Sequence, residues 1–314
     1  MKNVSKLALF VAAGMVSAGV QAATIDIRED TTMGIEGEYA LSYQTEENVA
    51  GDSTDTLSGG FELGIGAVRS FDNFDAYAEI TLETSVASDD DSATEAADQV
   101  IGLEGDFGQV EFGDSDGVYE DLITDSLDLF EDAGVAGADV TENNSMLTFY
   151  GPSMNGLSFN FQTAIEDDGE GDEGSAEQAI QATIAYDFGA GAVHAGYDDR
   201  GLNADSSDET LGVATVFGLG AATEIALKYE AETVSDEDTD YTGLGLAYDY
   251  GMGSLYGAVQ SVSPDVGSSR TEFAMGVDYS LEDDFKVYGE YQDFDNDAND
   301  AADSLMSFGL VYNF

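Results

Sequence analysis

Ser304–Phe314 reads SLMSFGLVYNF. In an extended chain Met306, Phe308, Leu310, Tyr312 and Phe314 fall on one face, and Leu305, Ser307, Gly309, Val311 and Asn313 on the other. The first face is wholly apolar or aromatic, while the second mixes small and polar groups. Such a strand can meet a second sheet in a soluble sandwich or lipid in a membrane barrel. The given sequence stops on the aromatic face. A free carboxylate beside a buried Phe is costly in a core but cheap at a membrane–water interface, where aromatic rings gather.

The same alternation runs upstream. Glu177–Phe188, Gly-Ala-Gly and Ala192–Asp198 form one hairpin pattern, and Tyr241–Tyr250, Gly-Met-Gly and Ser254–Ser261 another. Thr271–Leu281, Glu-Asp-Asp and Phe285–Tyr291 form a third. Glycine and short acidic turns are expected hairpin punctuation. Sixteen strands are predicted, at 31–45, 57–69, 74–85, 99–105, 108–114, 144–151, 156–166 and 177–188, then at 191–198, 209–218, 222–233, 241–250, 253–262, 271–281, 285–292 and 304–314. Thr24–Asp30 alternates briefly, either extending the first strand or closing a barrel seam.

Two faces persist along the chain. One carries Ile35, Tyr39, Phe61, Phe159, Phe161, Ile184, Leu227, Leu246, Phe273 and Met275. The other carries Glu36, Glu38, Glu62, Glu79, Glu83, Glu104, Glu111, His194, Lys228, Glu230, Lys286 and Glu290. An apolar face can meet lipid, but an opposite face this charged must meet water. A closed antiparallel barrel satisfies both and leaves no open hydrogen-bonding edge. The predicted fold is therefore an all-β, sixteen-stranded antiparallel transmembrane β-barrel.

Targeting and charge agree with this. Lys2 and Lys6, the apolar Leu7–Val20 and the small-x-small Val20-Gln21-Ala22 have the form of a signal peptide over 1–22. One domain over 23–314 is the economical reading, since no proline-rich linker or compositional break follows. Without residues 1–22 there remain six basic and 65 acidic side chains, a formal −59. Self-repulsion on that scale calls for screening by salt or cations, pointing to a salt-adapted habitat, and it argues against nucleic-acid binding. A disordered acidic chain would share the charge but not the 16 Tyr and 17 Phe in alternating runs. There is no cysteine, so disulfides and thiolate metal sites are absent.

One segment breaks the rhythm. Some thirty residues, SDGVYEDLITDSLDLFEDAGVAGADVTEN at Ser115–Asn143, separate two strands. A loop that long in a compact domain is usually functional. Leu122, Leu127, Leu129 and Phe130 give it apolar material to pack on a wall.

VIGLEGDFGQVEFGDSD at Val100–Asp116, NSMLTFYGPSMNGLSFNFQ at Asn144–Gln162 and the terminal VYNF at Val311–Phe314 together resemble the general diffusion porins of Gram-negative outer membranes, a trimeric sixteen-stranded family. The resemblance covers Ala23–Phe314. It implies a homotrimer in the outer membrane, in contact with lipid and lipopolysaccharide and inserted by the barrel assembly machinery with Phe314 as assembly signal. It implies passive diffusion of small hydrophilic solutes and ions. It also implies that 115–143 folds into the lumen as a constriction loop, with Glu120, Asp121, Asp125 and Asp128 as its acids. Where the family places a base before this loop, the sequence has Asp114, which is added to the constriction set. Pore-wall candidates are Glu36, Glu62, Arg69, Glu79, Glu104, Glu111, Lys228 and Lys286. Acids outnumber bases, so cation preference is expected. The first and last strands, with Gly34 and Gly37 admitting close approach, are candidate trimer contacts.

Other functions fare worse. His194 is the only histidine and no Gly-x-Ser-x-Gly elbow occurs, so an outer-membrane hydrolase lacks a visible nucleophile, and no catalytic residue or cofactor is predicted. Asp293, Asp295 and Asp297 have the opening spacing of a calcium loop, but Ala298 and Ser304 stand where glycine and a bidentate Glu are needed. Loose Ca2+ or Mg2+ binding by acidic loops is the most that this supports. A substrate-selective porin and a structural or adhesive barrel with a closed lumen remain the alternatives to a diffusion pore.

Overall fold

The computed structural model describes residues 23–28, 30–48, 51–85, 94–141, 145–165, 179–201, 208–235, 237–282, 284–294 and 302–314. The signal-peptide reading of 1–22 lies outside them, as do Asp295 and Asp297. Seventeen strand segments are described. They are β1 (Ala23–Arg28), β2 (Thr31–Asn48), β3 (Ser53–Ser70), β4 (Phe74–Ser85), β5 (Thr94–Gly105), β6 (Gly108–Asp114), β7 (Met146–Tyr150), β8 (Leu157–Ala164) and β9 (Ile180–Asp187). The second half comprises β10 (Gly191–Asp199), β11 (Glu209–Gly218), β12 (Thr223–Val234), β13 (Glu237–Asp249), β14 (Ser254–Pro264), β15 (Arg270–Glu282), β16 (Phe285–Asp293) and β17 (Ala302–Asn313).

Each strand from β2 to β17 pairs antiparallel with its sequence neighbour, and β17 pairs back onto β2, so sixteen strands close a ring. The short β1 adds no seventeenth position. It pairs with Thr31–Ile35 of β2, while β17 pairs with Glu38–Asn48 of the same strand. The seam-closing option is thus the one taken, by β1 as far as Arg28. At the join, Gly37 and Phe314 exchange backbone hydrogen bonds of 3.0 and 2.9 Å. The Phe314 ring stacks on Phe61 and Tyr312 and covers Gly37 so closely that a Cβ there would lie 2.4 Å from ring Cζ. At Gly37, expected to admit close approach of another subunit, the close approach is made by the chain's own Phe314.

Period-two alternation puts Met306, Phe308 and Tyr312 on the outside, where they are exposed, while Leu305, Ser307, Val311 and Asn313 are buried inward. Phe159 and Phe161 are also exposed outside. A soluble sandwich would have buried these faces. Several strands outrun their predicted ends: β3 begins at Ser53 and pairs polar Ser53–Thr56 with Gln44–Glu47. Hydrophobic alternation marks only the stretch that meets lipid, whereas the ladder continues into water. Turns at 71–73, 106–107 and 250–253 are short, and the other rim carries the long connections, as in bacterial barrels with periplasmic turns and extracellular loops.

Phe308→Arg is expected to cost about 2–4 kcal/mol at mid-membrane and to reduce the folded fraction in lipid vesicles, whereas Glu62→Arg on the inner face is not. Heat-modifiable gel migration after refolding reads both.

Candidate functional site: the lumen and its inward loop

Residues 115–141 fold inward and run along the inner wall from β8 round to β17 and β2. The loop contains one short 3-10 helix, Thr124–Leu127. Its apolar side chains sit on glycines that leave the wall flat. Tyr119 and Ile123 lie against Gly196 and Gly212, where a Cβ would stand within 2.8 Å of them, and Leu127 lies against Gly243 and Gly245. Tyr119, Ile123 and Leu127 are fully buried there. Phe130 packs with Ala133, Ala274 and Leu305 further along.

The loop's backbone donors are taken up by the wall. Glu290 accepts three N–H bonds, from Glu131, Asp132 and Ala133, each of 2.9 Å. Gln292 accepts from Gly134 (2.6 Å), Glu272 from Ala136 (2.7 Å) and Glu232 from Asp139 (3.2 Å). Asp198 accepts both the N–H (3.0 Å) and hydroxyl (2.6 Å) of Thr141. At the other end, Gln162 and Gln181 accept from Val118 (3.1 Å) and Tyr119 (2.9 Å). Carboxylates accept at two oxygens without needing a donor of their own, so they suit a segment whose N–H groups have left regular structure.

Three wall tyrosines follow one rule. Tyr77, Tyr256 and Tyr288 each lie directly across from a glycine, Gly102, Gly276 and Gly309, and a Cβ on each would collide with the ring at 2.2–2.3 Å. Their hydroxyls donate to Glu111 (2.7 Å), Glu290 (2.8 Å) and Asp132 (2.7 Å). The glycines let the rings lie flat and leave the lumen open.

Two cavities flank the loop. The one on the long-loop side, about 680 Å³, is lined by Glu120, Asp125, Asp128, Asp139 and Arg200 among others. The one on the short-turn side, about 820 Å³, is lined by the carboxylates Glu38, Asp121, Asp125, Asp128, Glu131, Glu224 and Asp278, by Lys286, and by several apolar groups. Asp125 and Asp128 line both, so they stand at the boundary between them. On the wall of β2, β3 and β4, Glu38, Glu62 and Glu83 are direct cross-strand neighbours. Like charges so placed repel, which is tolerable only beside water and counter-ions.

Glu36, Glu62, Glu79 and Glu111 fall in inward-facing rows; Glu104 does so at the short-turn rim, beside Asp75 and Gln109. Two candidates, Arg69 and Asp114, are corrected. Arg69 pairs across with Thr31 and Ala76, and Ala76 with the exposed Leu103, so it stands on the outer face, bound to Asp30 at 3.4 Å and over the Phe71 ring. Asp114 shares the row of Ile80 and Gln99, continuous with outward Ile65, and lines neither cavity. Lys228 does face inward, but the loop covers it. It donates to the Thr124 carbonyl at 3.0 Å and pairs with Glu230 at 2.9 Å. Lys286 contacts Glu131 on the loop. Arg200, which the sequence reading passed over, is buried between Glu232 (3.1 Å) and Asp139 (3.6 Å) and fixes the loop's far end. Asp293 ends β16 and accepts from Tyr291. Among the described residues no cluster of three metal-ligating side chains occurs.

Such a barrel, with an inward loop dividing a polar lumen, defines an outer-membrane channel protein. The family model described as Gram-negative porin matches residues 8–299, and the chain belongs to that family of outer-membrane channel proteins. A "Monosaccharide porin" of Halomonas sp. and a "Major outer membrane protein" of Halomonas elongata are each 26% identical to it, covering 98% of this chain and 99% of their own. Among solved structures, OmpF of Salmonella typhi in complex with daunomycin superposes with a TM-score of 0.78 at 16% identity, over 93% of this chain and all of its own. An anion-selective porin from Comamonas acidovorans gives 0.75 at 16% identity, over 91% and 100%.

Burial and neighbouring Asp116, Asp125 and Glu120 push Asp121 up to about 7. Burial and Asp128 push Asp125 up to about 6, against the pull of Lys228. Raised values mean that the folded loop disfavours ionisation, so these two groups lower stability as pH rises from about 4 to about 7. Going down through the same window, the boundary loses charge. Single-channel conductance in dilute KCl is therefore expected to fall between pH 7.5 and 5, not near pH 4.

Glu290→Ala strands three loop N–H groups. Docking of Glu131–Ala133 is expected to weaken by about 1.5–3 kcal/mol, the net value of one bond to a charged acceptor, or more. Faster amide exchange at those residues and greater open-channel current noise are the readouts.

Proposed function

We propose that this porin is a water-filled channel for passive diffusion of small hydrophilic solutes and ions, with a preference for cations, working as a homotrimer. The observation that carries the preference is the balance of charge across the lumen. Loop acids Asp121, Asp125 and Asp128 and wall acids Glu36, Glu62 and Glu79 are of one sign. The inward bases Arg200, Lys228, Arg270 and Lys286 each lie beside a carboxylate. In water each pair of charges is worth only about 1 kcal/mol at 4 Å, but a ring of like charges adds. The Debye length is near 10 Å at 0.1 M and 3 Å at 1 M, so preference falls with salt. A solved structure of similar fold is described as an anion-selective porin, so the sign resides in side chains and not in the fold.

A second reading, a sugar-selective porin, is favoured by the description of one relative and by Tyr150 and Tyr256 lining the short-turn cavity. Liposome swelling with glucose against an uncharged polyol of equal size separates the two, since a diffusion pore admits both alike.

The zero-current potential across a KCl gradient is expected to have the cation sign. Glu62→Lys, in the middle of the Glu38–Glu62–Glu83 row, should lower the cation-to-anion permeability ratio several-fold. A wild-type potential of anion sign overturns the preference. Cross-linking in mild detergent is expected to yield a threefold species.

A further inference from the structure

The cavity on the short-turn side of the loop has a lining that simple ion passage does not require. Leu122, Leu129 and Phe130 from the loop and Val216 and Ala247 from the wall border it. These side chains are not sealed in a core: Leu122, Leu129, Phe130 and Val216 are half-buried, with surface left towards the cavity. The Phe130 ring meets the Tyr256 ring edge-on at 5.3 Å. A hydrated inorganic ion gains nothing from this surface, whereas a solute with an apolar body does.

Charge decides which such solute. Seven carboxylates border the cavity against one lysine, and that lysine is engaged with Glu131. An anion is repelled, and a neutral apolar solute leaves the field unused. A cation with an apolar body uses both, its ring against Leu129 and Phe130 and its charge towards Asp125 and Asp128, with aromatic faces adding attraction for the cation. We propose that this cavity is a binding subsite for small organic cations, amines or quaternary ammonium compounds bearing an aromatic or aliphatic body, entered from the short-turn side. The proposal rests on the lumen being an open, cation-preferring passage, so its test measures the two separately.

In planar bilayers, benzyltrimethylammonium added on the short-turn side is expected to reduce the KCl current saturably. Tetramethylammonium, which lacks the ring, should need about tenfold higher concentration, as expected if roughly 55 Å² of ring surface leaves water. Phenylacetate, with a ring and the opposite charge, should not block. Leu129→Ser is expected to weaken the block about fivefold without altering the zero-current potential. Val216→Ser, on β11 and away from the loop backbone, should weaken it at least twofold, and this holds even if Leu129→Ser shifts the loop. If the potential has the cation sign but the two ammonium ions block equally, or both variants leave the block unchanged, the subsite is overturned while the channel reading stands. Block by D-glucose but not by benzyltrimethylammonium likewise overturns it, in favour of a neutral sugar. A potential of anion sign instead removes the premise and, with it, the subsite.

Discussion

A strand inside hydrocarbon has no water to bond its N–H and C=O groups, and an open sheet edge there would leave a full row unpaired. Closure is the constraint on which everything else here depends. It fixes which face of every strand meets lipid, and so turns a plain alternation of side chains into an inside and an outside. It also explains why β2 is shared: β17 and β1 lie one after the other along it, so the seam is paired over nearly its whole length. The Phe314 ring over Gly37 covers the point where the two partners meet.

The closed wall then has to hold a segment with no regular pairing of its own. It does so with acids. Glu290, Glu272, Glu232 and Asp198 act as acceptors for loop N–H groups, while Arg200 and Lys228 neutralise part of the charge thus buried. The protein's acidity therefore has at least two roles. Some carboxylates are structural and covered, and others, such as Glu62 and Asp128, border water. A net charge alone does not separate them, and a pore's sign depends only on the second group.

Most of the fold was legible because period-two alternation is a direct imprint of lipid on one side and water on the other. Phe308 and Ser307 could be placed without any partner being known. The same rule bore on two site residues that were instead placed by family position. Asp114 has the parity of outward Phe112, not of inward Glu111, and Arg69 has that of Ile65. What the sequence did not disclose is pairing between a side chain and a distant backbone. Glu290 and Glu131 are 159 residues apart, and an N–H carries no sequence signature, so Glu290 reads as wall charge when it is an anchor. Arg200 sits at the start of an acidic loop and looks like solvated surface until its partners on β12 and the loop are brought to it.

The anchors grip the loop mostly by its main chain. Gln162, Gln181, Glu272 and Glu290 take hold of N–H groups that any residue except proline supplies, whatever its side chain. Side chains turned towards the passage are thereby released from holding the loop in place. Asp121 and Asp125 are not among the side chains that grip the wall, so other groups could stand there on the same scaffold. Position is held by one set of atoms and the passage is faced by another, and this separation would allow the lining of a single barrel to change without the barrel being rebuilt.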